Sequence, residues 1–150
     1  MNSAGVLHRE LVANADPGQW QREISVNLFG LMNTTRVAVT AMLEQGAGHI
    51  VNVSSMNARK FPLGGSGYSA SKAGVNAFTE TLRQEVTEEG IRTTVIEPGR
   101  VDTVMQDEET REAMRLLDPA DVADTIVYVV SRPEHVNVNN ILLRPTEQQY

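Results

Sequence analysis

His49-Ile50-Val51-Asn52-Val53-Ser54-Ser55, followed by Tyr68-Ser69-Ala70-Ser71-Lys72-Ala73-Gly74, is the stretch on which the fold turns. The first run is short, and it reads as a buried strand that ends in hydroxyls. The second opens a helix rich in small residues. Between them Gly64, Gly65 and Gly67 permit a tight, irregular loop. A strand handing over to a helix through a glycine loop is the repeating unit of α/β folds.

The same stretch carries chemistry. Tyr68 and Lys72 are four residues apart, which puts both on one helical face. A free tyrosine titrates near about 10, too high for ready proton transfer at neutral pH. A cation held beside it is expected to favour the phenolate and lower that value. Ser55, thirteen positions before the tyrosine, lies at a strand end from which its hydroxyl can hydrogen-bond an oxygen that gains or loses charge. Together the three groups suit reversible oxidation of an alcohol to a carbonyl, with a nicotinamide taking the hydride. Spacing of this kind also arises by chance, as a surface lysine beside a half-buried tyrosine.

Outward from this stretch the chain alternates helix and strand. Asp16-Pro17 reads as an N-cap and first helical residue, with a helix to about Glu44 ended by Gly46 and Gly48. Trp20, Ile24, Leu28, Leu31 and Met42 make its apolar stripe. The strand 49–53 follows, then a helix from Gly67 to Glu89 closed by Gly90, then a strand 91–96. Asp118-Pro119 repeats the start signal for a helix to about Ser131, and 140–143 make a last strand. This predicts an α/β fold, a partial doubly wound parallel sheet with helices on its faces. The charged run Asp107–Glu112 reads as a solvated helix turn. Trp20 and the methionines read as packing residues.

Several motifs in order resemble the short-chain dehydrogenase/reductase family, over nearly the whole chain. Asn2-Ser3-Ala4-Gly5 is similar to the family's Asn-Asn-Ala-Gly segment, with Ser3 replacing the second asparagine. Asn27, within Val26-Asn27-Leu28-Phe29-Gly30, resembles the mid-helix catalytic asparagine. Ser55, Tyr68 and Lys72 match the serine, tyrosine and lysine of the catalytic set. Pro98-Gly99-Arg100-Val101-Asp102-Thr103 resembles the Pro-Gly-x-x-x-Thr turn on the nicotinamide side. The resemblance implies that Tyr68 is the acid/base, that Lys72 also holds the nicotinamide ribose, that Ser55 polarises the substrate oxygen and that Asn27 holds a water. It implies that Asn2, Ala4, Gly5, Pro98, Gly99, Val101 and Thr103 line NAD or NADP, together with Tyr68 and Lys72. The ending Asn140–Thr146 is similar to a branch acting on small hydroxy acids and aldehydes.

No Gly-x-x-x-Gly-x-Gly segment occurs, so the strand, turn and helix N-terminus that bind pyrophosphate in this family have no counterpart here. Residues 1–5 fall at the end of the family's fourth strand, and residues 1–150 are expected to be the carboxyl-terminal part of a single dinucleotide-binding domain that lacks its first strands. An internal valine codon taken as the start, or a truncated gene, is the expected cause. The chain alone is therefore expected to be inactive. The alternative reading is a non-catalytic remnant serving as an assembly or binding module. A sugar epimerase or dehydratase shares Tyr-x-x-x-Lys, but such families carry a further substrate domain after this part.

Composition sets bounds on the rest. Hydrophobic residues are 41% and charged residues 21%, ordinary globular values. The net charge of −6 argues against nucleic-acid or anionic-membrane partners, and no apolar run is long enough for a membrane span. His8, His49 and His135 lie in separate elements without ligand spacing, so no metal site is expected. With no cysteine, the chain fits a reducing cytoplasm. A small-molecule alcohol or carbonyl is the expected partner. Homo-oligomers are expected through the helices 17–44 and 67–89, as in the family.

Overall fold

The computed structural model describes residues 1–148. Helices α1 (Pro17–Glu23) and α2 (Gly30–Gln45) are continuous through a π-helical segment, Ile24–Phe29. Then come β1 (Gly48–Val53), a 3₁₀ turn Met56–Ala58, α3 (Ser66–Val86) with a 3₁₀ extension Thr87–Glu89, and β2 (Ile91–Pro98). Helices α4 (Glu108–Ala113) and α5 (Pro119–Val130) and strand β3 (Asn140–Leu143) complete the order. The strands form one parallel sheet, β1-β2-β3, with Ile50 opposite Thr93 and Ile96 opposite Ile141. The expected partial parallel α/β sheet is the fold observed.

Local signals explain the boundaries. Asp16 and Asp118 accept bonds from Gly18 N and Ala120 N, and each is followed by proline at the first helical position. Gly46 and Gly90 take left-handed φ of 67° and 73°, conformations that end a helix at little cost only with glycine. Asp107 caps α4, so the charged run is a short helix at the surface. Ahead of α1, Asn2 bridges Asn52 through Asn2 N to Val51 O and Val53 N to Asn2 O, both 2.8 Å. The strand stump expected at the amino terminus is thus a single bridge on the outer edge of β1.

Both faces of the sheet are covered, as a parallel sheet requires. Ile50 and Ile91 pack with Leu82 and Val86 of α3 and with Val39 and Met42 of α2. On the opposite face Val51 and Ile96 pack with Val129, Val122 and Ile126 of α5. Burial of each such side chain contributes about 1.5–3 kcal/mol. Among the described residues no helix is long and apolar enough to cross a membrane.

The stripe expected on the first long helix differs from the buried one. The buried positions are Glu23, Asn27, Leu31 and Thr35, a row spaced by four in which three side chains are polar. Ile24 is 38% exposed. The π segment widens the turn, and Gly30 N reaches back five residues to Ser25 O. That register brings polar side chains inward because each has a partner there. Met1 and Met105 are exposed, contrary to a packing role for every methionine.

Candidate active site

The carboxyl ends of β1 and β2 and the start of α3 enclose a cleft of about 1000 Å³. Strand β1 delivers Ser54 and Ser55, and the 3₁₀ turn begins where Ser55 Oγ accepts from Asn57 N at 3.1 Å. Helix α3 starts beside it, so Tyr68 and Lys72 project from its first turns. Ser54 Oγ donates to Lys72 O at 3.1 Å and fastens strand end to helix. Ser55, Tyr68 and Lys72 all line the cleft, with Gly5, Pro98, Gly99, Val101 and Thr103. Asn2, Ala4 and Asn27 lie outside its lining.

Burial controls the electrostatics. Tyr68 is 9% exposed and its pKa is raised, chiefly by desolvation; a hydrogen bond from Ser55 works the other way. Glu23 raises it and Arg9 lowers it by charge. The expected lowering by Lys72 is not what governs the phenol here. The lysine itself is 3% exposed, and desolvation brings its pKa from 10.5 down to about 8. Its Nζ lies 5.8 Å from the Tyr68 ring centroid and donates to Val53 O at 3.0 Å. The two buried groups therefore tend toward neutral phenol and a readily deprotonated amine.

Asn27 is fully buried and its side chain is committed. Its Oδ1 accepts from Val6 N at 2.8 Å, while Nδ2 donates to Val6 O at 2.9 Å and to Ser71 Oγ at 3.0 Å. Ser71 in turn donates to Tyr68 O at 2.7 Å. The asparagine thus clamps the segment that carries Gly5 onto the helix that carries Tyr68. Asn27→Ala strands both polar groups of Val6, and a stability loss of about 2 kcal/mol is expected in urea denaturation. A loss below about 0.5 kcal/mol, the range of ordinary surface changes, contradicts the clamp.

Asn2 is likewise structural in its contacts, donating to Asn52 Oδ1 at 2.8 Å and Thr35 Oγ1 at 3.0 Å. Gly5 lies where a Cβ would come within van der Waals contact of the amine, 3.7 Å from Lys72 Nζ. Lys72 has three N–H donors, and Val53 O is the protein acceptor it uses. Donors remain for a hydroxyl-bearing ligand. Gly99 N donates to Leu143 O at 2.7 Å, and this holds the Pro98-Gly99 turn against β3.

The cleft is cationic. Among the described residues Arg9, Lys60, Lys72 and Arg100 line it and no Asp or Glu does, although the chain carries −6. Sequence reasoning missed Arg9 and Lys60. It also missed Glu97, fully buried in β2 and bonded to Arg59. An acid at the end of a β-branched strand, directly before Pro98-Gly99, was the available signal. Among the described residues no His/Asp/Glu cluster could hold a metal ion.

Comparison with known proteins gives concordant matches. The model of the family described as short chain dehydrogenase matches residues 1–114. An uncharacterized oxidoreductase of Staphylococcus saprophyticus is 37% identical over 97% of this chain and 62% of its own length. One from Staphylococcus aureus is 35% identical over 97% of this chain and 63% of its own. The crystal structure of serine dehydrogenase from Escherichia coli superposes with a TM-score of 0.89 at 33% identity, covering 99% of this chain and 64% of that one. A 3-oxoacyl-[acyl-carrier protein] reductase with bound NAD from Brucella melitensis gives 0.86 at 28%, covering 95% of this chain and 58% of that one. A closed form of serine dehydrogenase complexed with NADP+ gives 0.95 at 33%, covering 99% and 65%. The chain thus spans about 62% of the length of the first curated relative.

Proposed function

This chain belongs to the short-chain dehydrogenase family, and on that premise we propose that it is the carboxyl-terminal part of a single dinucleotide-binding domain that interconverts an alcohol and a carbonyl with NAD or NADP. The observation that carries the reading is the convergence of Ser55, Tyr68 and Lys72 on one cleft at the carboxyl ends of parallel strands. Ligands bind at that end of such sheets. Neighbours described with NADP+ and with NAD support either dinucleotide.

A nicotinamide, when bound, supplies the hydride chemistry. The residues of this chain supply the proton and hold the oxygen. In the direction of reduction Tyr68, kept protonated by burial, donates its phenolic proton to the carbonyl oxygen. Ser55 hydrogen-bonds the same oxygen as charge develops on it. Lys72 donates to the ribose hydroxyls with the N–H groups that Val53 O leaves over. Asn27, through its carbonyl in the widened helix turn, supports a water on the proton path to solvent. Gly5, Pro98, Gly99, Val101 and Thr103 line the nicotinamide side, with Asn2 and Ala4 holding that segment in place.

The charge of the cleft favours an anionic ligand. Arg9, Lys72 and Arg100 give the lining positive charge, with Asp107 near enough to act on both arginines. A small substrate bearing a carboxylate, as serine does, matches that field and the similarity to serine dehydrogenase. The chain without cysteine fits the cytoplasm.

The test is oxidation of NADH and NADPH with a panel of aldehydes and oxo acids. The chain alone is expected neither to bind dinucleotide tightly nor to turn over, because it has no glycine-rich phosphate turn. Joined to the amino-terminal part of the Staphylococcus saprophyticus relative, it is expected to turn over. Tight binding and reduction by the chain alone contradict the expected dependence on that turn.

Assembly follows from surface apolarity. Phe29, Val37 and Leu43 are 59%, 70% and 46% exposed along the first long helix. Homo-oligomers through the helices 17–45 and 66–89 cover them. Light scattering on the eluted chain is expected to give an oligomer, and Phe29→Glu with Val37→Glu a monomer. A monomer from the unsubstituted chain contradicts the pairing.

A further inference from the structure

We propose that Glu97 is the positioning residue of this site, its carboxylate holding the Ser55 turn and the Tyr68–Lys72 helix in fixed relation. The proposal rests on the active-site reading given above. Glu97 is 0% exposed, at the end of β2 and directly before Pro98-Gly99. Its partners come from three separate elements. Arg59 Nε donates to Oε1 at 2.9 Å and Oε2 at 2.8 Å. Asn76 Nδ2 donates to Oε1, and Asn140 Nδ2 donates to Oε2 at 2.8 Å.

Each tie leads to a functional group. Arg59 closes the 3₁₀ turn that Ser55 caps, with Arg59 N donating to Met56 O at 3.0 Å. Asn76 stands one helical turn beyond Lys72 on α3. Asn140 opens β3, whose Leu143 O receives Gly99 N. One buried carboxylate therefore joins the serine turn, the tyrosine–lysine helix and the cofactor-side turn. Arg59 is 53% exposed, and an ion pair with one partner half in solvent adds little stability over apolar packing, so stability alone is a weak reason for it. All three partners present N–H groups, and only a group that accepts at both oxygens satisfies them together. A glutamine would direct its own N–H₂ at one of those donors and release one arm.

The charges that act on Tyr68 are those of Glu23 and Arg9. Lys72 is its near neighbour on α3, and Ser55 faces it from the strand end. Removing the Glu97 charge by itself favours the phenolate and moves the Tyr68 titration down. Loss of position weakens the Ser55 hydrogen bond and moves it up. The two effects have opposite signs, and the direction decides between them.

The experiment uses the 150-residue chain labelled with 3-fluorotyrosine, with Tyr128→Phe and Tyr150→Phe leaving Tyr68 as the single ¹⁹F signal. Fluorination brings the titration down from the alkaline end, where the fold is at risk. In Glu97→Gln the Tyr68 midpoint is expected to rise by about half a unit to one unit, the size of one lost hydrogen bond. Asn76→Ala, which changes no charge and leaves two arms, is expected to rise by less; if Glu97→Gln does not fold, it decides alone. An unchanged or lowered midpoint in a folded variant overturns the proposal. The titration needs no turnover. Raised midpoints beside an inactive joined protein sink the proposed activity and leave the positioning role standing.

Discussion

Tyr68→Phe, in the chain joined to the amino-terminal part of a relative, is expected to lower kcat by about 10²- to 10⁴-fold, the usual worth of a positioned general acid. Only the phenolic oxygen is removed, and no protein hydrogen bond of Tyr68 that holds the fold passes through it. The backbone carbonyl still receives Ser71 Oγ, and the ring still fills its buried place. The melting temperature should stay within a few degrees of the parent. Dinucleotide affinity should change little, because Lys72 and the Gly5 and Gly99 segments remain. Retention of most of the rate against several carbonyl substrates contradicts the assignment of the proton donor.

Lys72→Met is expected to separate stability from activity. The lysine's folded pKa is about 8 against an ordinary 10.5, because burial penalises its charge. Between those values the unfolded chain holds the extra proton, so with respect to this group stability rises as pH goes from about 8 to 10.5. Below about 8 the full penalty is present, of order 3 kcal/mol at neutral pH for a shift of this size. Methionine removes that penalty at the loss of one bond to Val53 O. The variant should therefore melt higher than the parent at pH 7, with the gain shrinking toward pH 10, while the joined protein loses turnover. Tyr68 acts oppositely at the alkaline end. Its raised pKa makes stability fall once the unfolded phenol ionises. A variant that melts lower at pH 7 and equal at pH 10 contradicts the buried-charge account.

Much of this was legible in the sequence, for physical reasons that differ by element. Strands β1 and β2 were readable because short β-branched runs follow Gly48 and Gly90. The starts of α1 and α5 were readable because Asp-Pro combines a capping carboxylate with a fixed φ. Ser55, Tyr68 and Lys72 were readable because strand end and helix face fix where they point. The clamp that Asn27 makes on Val6 was not, because that contact spans 21 residues. The buried row Glu23, Asn27, Thr35 was hidden for the same reason: polar residues read as surface until their partners are known. Glu97 was missed on that ground too, since its three donors come from residues 59, 76 and 140. The direction of the Tyr68 shift was misjudged because a sequence shows the neighbouring cation but not that burial desolvates both groups.

In the proposed function this cleft hands a proton to an oxygen while a nicotinamide moves a hydride. The most direct measurement is transfer of label from nicotinamide carbon to product carbon. NADH or NADPH deuterated at C4 is given to the joined protein with an aldehyde or oxo acid, and the alcohol is analysed by mass spectrometry. One deuterium is expected on the former carbonyl carbon, and none above background with Tyr68→Phe. A folded, dinucleotide-binding protein that transfers no label to any carbonyl of the panel, or transfers it equally well without the Tyr68 hydroxyl, contradicts the account.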